Sequence, residues 1–108
     1  MINVEEFKTL KYDEQKEYLV TLLEALPTQF NTSKSISQLL KTHSPSASFL
    51  LSVFNQITKM EQNGINKINS EGKNNIDNYN KIIKSYDGLA KEDQKDAEDY
   101  LIKELNTI

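Results

Sequence analysis

A chain of 108 residues with no arginine, cysteine or tryptophan and a single histidine, His43, lacks the side chains on which most nucleophilic catalysis, metal binding and phosphate recognition depend. Its formal charge of −3, with all 13 cations lysines, excludes the guanidinium-rich surface through which proteins replace counterions on nucleic acid. With 37% hydrophobic and 27% charged residues and a mean hydropathy of −0.62, residues 1–108 fit a single domain with a lean core.

No stretch alternates apolar and polar residues as a strand does, and only two prolines and three glycines interrupt the chain. Val4, Phe7 and Leu10, then Tyr12, Leu19, Leu22, Leu23 and Leu26, are spaced helically. A joint is expected at residues 12–13, with Asp13 capping the second piece and Pro27 ending it. A polar link over 28–34 leads to a short helix over 33–42, whose apolar face is Ile36, Leu39 and Leu40. Ser44 then reads as the N-cap of the next helix and Pro45 as its first residue, where a missing N–H costs nothing. Ser44-Pro45 also has the form of a proline-directed phosphorylation site, although the cap accounts for both residues without it.

From Pro45 the chain reaches Gly88 without another proline. Laid out at about 100° per residue from Phe49, the side chains of Leu50, Val53, Phe54, Ile57, Met60, Ile65, Ile68, Ile76, Tyr79, Ile82, Ile83 and Tyr86 fall in one half of the wheel. The shared phase predicts one long helix, continuous or kinked, over residues 45–86. At about 1.5 Å per residue it would span roughly 60 Å, about twice the width of a globule this size. It must therefore break, most naturally around 69–75 at Gly72, and fold back, or else pair with a second chain. Its middle is weak, with seven asparagines and two glycines between Glu61 and Asn80. Asn63-Gly64 also suits a turn.

Asp87-Gly88 closes this segment, with Gly88 read as a C′ residue. A last helix follows over 90–106, its period set by Ala97, Tyr100, Leu101, Glu104 and Leu105, with Glu92 and Asp93 in the first turn as the helix dipole prefers. Residues 10–17 and 89–96 echo one another: a leucine, a short link, two acids, glutamine, lysine and an acid. Helix starts produce such a pattern readily, and a duplication would produce it too. The fold expected is all-α, a four- to five-helix bundle with one long central helix.

The constellations able to carry chemistry are few. Glu92, Asp96 and Asp99 share a helical face, but no EF-hand loop or Glu-x-x-His pair accompanies them, so they read as a solvated acidic face. His43 has no nucleophile or orienting acid near it in sequence. No catalytic residue, metal, cofactor or nucleic-acid site is expected. The broad apolar turn is the best candidate: Phe49, Leu50, Leu51, Val53 and Phe54 cover more than half of a helix circumference. Such a turn is either packed on several sides or kept for a partner, and Phe49, Leu50, Val53, Phe54 and Ile57 form the candidate partner-binding set, with the two aromatics as anchors.

The amino terminus lacks the basic and apolar regions of a signal peptide, and no apolar run approaches the ~20 residues of a membrane span. A cytoplasmic protein without membrane contact is the expectation. The abundance of asparagine, lysine and isoleucine without arginine fits a gene from an AT-rich genome. Tyr100-Leu101-Ile102-Lys103-Glu104 resembles the carboxy-terminal Tyr-x-x-x-acid signal of small helical-hairpin proteins exported by type VII secretion. The Trp-x-Gly turn of that class is missing, and export is the remote alternative that these five residues imply. The function expected is a non-catalytic protein–protein interaction module, such as an accessory, inhibitor or immunity-type protein binding one partner. A structural homo-oligomer assembled through 45–86 comes second, and an enzyme or metal protein built on carboxylates and lysine third.

Overall fold

A computed structural model describes residues 1–26, 31–63 and 76–106, and these are all-α, with six helices and no strand among the described residues. Helix α1 (Val4–Thr9) starts at Asn3, whose Oδ1 accepts the Glu6 N–H at 2.9 Å and satisfies one of the donors that a helix start leaves free. The joint to α2 (Tyr12–Glu24) falls slightly earlier than the spacing suggests. Lys11 is the N-cap, its N–H donating to Glu14 Oε1 at 2.9 Å. Asp13 therefore does not cap; it lies in the first turn, where its charge suits the helix dipole.

Helix α3 runs Asn31–Thr42 and helix α4 runs Ala47–Asn63. The cap of α4 is Ser46, not Ser44: its Oγ accepts the Phe49 N–H at 3.2 Å, and its carbonyl accepts from Leu50. Pro45 precedes the helix and is buried. Helix α5 (Ile76–Ser85) runs into a 3₁₀ turn, Tyr86–Gly88, and helix α6 is Lys91–Asn106. Gly88 is not a left-handed C′ residue; it lies inside the 3₁₀ turn, and a Cβ there would meet nothing within 4 Å.

The echo between residues 10–17 and 89–96 has a structural meaning. Leu10 and Leu89 are both extended, at φ −72°, ψ 148° and φ −79°, ψ 148°. Each donates its N–H at 3.1 Å to the carbonyl of a buried aromatic three residues earlier, Phe7 or Tyr86. In each case the glutamine five residues on, Gln15 or Gln94, donates its side-chain amide to that same carbonyl at 2.9 Å. The two joints solve one problem alike: a broken helix end leaves carbonyls unpaired, and the incoming helix supplies a donor.

Of the anticipated span 45–86, the described parts are α4, α5 and the 3₁₀ turn. The break expected near Gly72, the pair Asn63-Gly64 beyond Asn63, and Pro27, Ile65, Ile68 and Ile108 lie outside the described residues. Helix α3 packs against α2, α5 and α6. It buries Thr32, Ser33, Ser35 and Ser37 as well as the expected Ile36, Leu39 and Leu40. Thr32 Oγ1 donates to the Tyr79 hydroxyl at 3.0 Å, so this buried hydroxyl is paired. Helix α4 packs on α1, α2 and α6, and Phe54 stacks on Phe7 with ring centroids 4.4 Å apart and 14° between planes.

Candidate functional site

The strongest concentration of polar contacts surrounds the short link between α3 and α4, residues 43–46. Proline at 45 cannot donate a backbone hydrogen bond, so the link cannot continue the helix ladder and is held by side chains instead. From α2, Lys16 Nζ donates to the His43 carbonyl at 2.9 Å and the Tyr12 hydroxyl donates to the Pro45 carbonyl. From α6, Glu98 accepts the Ser46 N–H at 3.2 Å and the Ser46 hydroxyl at 2.6 Å. The Tyr86 hydroxyl of the 3₁₀ turn donates to the same carboxylate at 2.5 Å. These bonds explain why the cap moves from Ser44 to Ser46: the residue that α6 grips becomes the helix start.

Glu98 is only 6% exposed. A buried carboxylate is costly unless donors surround it, and three do. Burial raises the Tyr86 phenol well above its usual range, and the hydrogen bond and charge of Glu98 push it further. Tyr86 therefore stays a donor. Burial also raises Tyr12, against a hydrogen bond from Ser44 and with the charges of Glu98 and Asp13. His43 completes the surroundings: its ring centroid lies 5.7 Å from that of Tyr86 and its Nδ1 lies 2.9 Å from Asp87 Oδ2. That approach is close but not aligned as a hydrogen bond.

Beside this clamp, α4 and α6 leave a cleft of about 460 Å³. Phe49 and Ile102 give it apolar lining, Ser48 and Ser52 line it from α4, and Lys91, Lys95 and Asp99 from α6. Ser44, Ser46 and Glu98 of the clamp border the same space. The arrangement can receive an apolar group flanked by hydrogen-bonding groups.

The sequence candidates are placed as follows. Phe49, Leu50, Val53, Phe54 and Ile57 are 3%, 0%, 0%, 1% and 1% exposed, all within the core. The broad apolar turn is packed on several sides, and Phe49 also lines the cleft. Glu92, Asp96 and Asp99 are exposed on α6. Ser44 is exposed, but the link around it is pinned by α2 and α6, and Pro45 is buried. Tyr100 is half-buried with its ring 6.1 Å from Tyr79, and burial, then a hydrogen bond with Glu104, raises its phenol. Both ends of the Tyr-x-x-x-acid motif are thus engaged within the chain. Sequence reasoning missed Glu98, although it stands three residues before Leu101 and seven before Leu105, on the apolar stripe of its helix.

Among the described residues no group of three or more histidines, cysteines or acids could hold a metal ion. No described helix is long and apolar enough to cross a membrane. The chain matches no family model, and no curated protein or solved structure matches it.

Proposed function

We propose that this chain is a non-catalytic binding module, of the accessory, inhibitor or immunity type, that receives one partner protein in the cleft between α4 and α6. The observation that carries the reading is the cleft itself, preformed beside a clamp that fixes the start of α4 to α6 through Glu98. A surface ordered before binding loses less entropy when the partner arrives. A partner segment would set an apolar side chain against Phe49 and Ile102 and polar groups toward Ser48, Ser52 and Lys95. In this reading the apolar turn of α4 backs the site through Phe49 rather than forming an exposed face.

The finer architecture belongs to the same proposal: α4 and α5 are two helices of one bundle. A straight helix over 45–86 would measure roughly 60 Å, whereas the largest extent of the fold is 34 Å. Site-specific photo-crosslinking in the source cell tests the reading. A crosslinker at Ser52 is expected to trap one discrete partner, and one at Glu17, exposed on α2, none. No adduct from Ser52, or the same adducts from both positions, would overturn it. An adduct of twice the chain mass would favour the homo-oligomer instead.

A further inference from the structure

We infer that Tyr86 and Glu98 are positioning residues, kept to hold the α4 wall of the cleft in place rather than to stabilise the fold. The chain supplies its own comparison, because it builds the same joint twice. Leu10, Gln15, Lys16 and Leu22 recur as Leu89, Gln94, Lys95 and Leu101, each 79 positions later, across both joints and into the helices that follow. In this register Tyr86 stands where the first unit has Phe7, and Glu98 stands where it has Leu19. Phe7 and Leu19 are both 0% exposed, so an apolar pair closes the frame in that unit.

An apolar pair would fill the second unit at less cost, because burying a carboxylate and a phenol takes both from water. Replacing buried charged groups by well-packed apolar side chains of similar volume is often neutral or stabilising. What an apolar pair cannot do is fix a position. Apolar burial is non-directional, whereas a hydrogen bond sets both distance and angle. The two units meet α4 accordingly. Phe7 stacks on Phe54, whereas Glu98 takes the Ser46 N–H and hydroxyl while Tyr86 holds the carboxylate. Ser46 starts α4, and Ser46, Ser48, Phe49 and Ser52 form the α4 side of the cleft. The grip on Ser46 therefore sets where that wall stands against Lys95 and Ile102 of α6. Its value for binding rests on the partner proposed above; the placement itself does not.

The test is the variant Tyr86→Phe/Glu98→Leu, which gives the second unit the pair of the first. Changing both residues together leaves neither the carboxylate nor the phenol without its partner. Its melting temperature is expected to lie within about 4 °C of the native value, or above it. Amide hydrogen exchange at Phe49 and Leu50, whose N–H groups bond to Ser46, should quicken by about tenfold or more. A larger fall in melting temperature would make the pair structural and overturn the proposal, and so would unchanged exchange. Neither readout needs a partner. Crosslinking from Ser52 separates the two proposals: the variant should trap the partner about tenfold less than the native chain does, and equal trapping would overturn the positioning role. No adduct from the native chain would count against the partner alone, with melting and exchange still deciding on the pair.

Discussion

Glu98, Ser46 and Tyr86 form a unit in which each polar group answers another: one carboxylate takes three donors, and the serine it grips caps α4. At neutral pH, Tyr86→Phe removes a hydrogen bond to a charged acceptor and should lower stability by about 2 kcal/mol in urea unfolding. The same residue sets an alkaline limit. The phenol is raised in the folded protein, while in the unfolded chain it ionises near its ordinary value of about 10. The unfolded state therefore binds fewer protons as pH climbs past that value, and stability falls. Unfolding followed from about pH 9 to about pH 11 should show a steep loss in the native chain and a shallower one in Tyr86→Phe. Equal slopes would contradict the arrangement. The unit was only partly legible in the sequence. Glu98 lies on the stripe of Leu101 and Leu105, but in a run of acids and lysines its residue type argued for solvent. Only the tertiary placement of Ser46 and Tyr86 shows which acid is turned inward.

The all-α character was readable because period and punctuation agree: the phase of Phe49, Val53, Phe54, Ile57 and Met60 is that of a helix buried on one side, and all five are buried. Boundaries were less so. Asp13 and Ser44 are both good caps by type, yet Lys11 and Ser46 occupy the cap positions, because Glu14 of the same first turn and Glu98 of α6 accept their backbone N–H groups. The buried serines and threonine of α3 could not be read either. Small hydroxyl residues tolerate either environment, and their burial follows from three neighbouring helices closing on them. The packing of α4 has a consequence for experiment. Phe54 stacks on Phe7 and lies 6.4 Å from the Tyr18 ring. Phe54→Ala should cost about 3–5 kcal/mol, seen as a lowered denaturant midpoint. A cost below about 1 kcal/mol would mean that this face is not core. Loss of binding in such a variant would report unfolding rather than contact, so Ser52 is the better probe of the cleft.

Across the whole molecule, the radius of gyration of 13.1 Å matches the ~13 Å of a compactly folded chain of about this length. The apolar residues that suggested an interface in the sequence are spent on the chain's own core, and among the described residues Met1, 54% exposed, is the large hydrophobic left in water. Whether an apolar turn faces inward or a partner is a property of the fold, not of the turn, which is why the sequence held both readings open. The central claim is that one chain completes its own core and meets its partner through the cleft between α4 and α6. Light scattering behind a sizing column, repeated over about a hundredfold range of concentration, tests it most directly. The account expects 12.4 kDa throughout. A mass that doubles as concentration rises would contradict it and would make the chain its own partner.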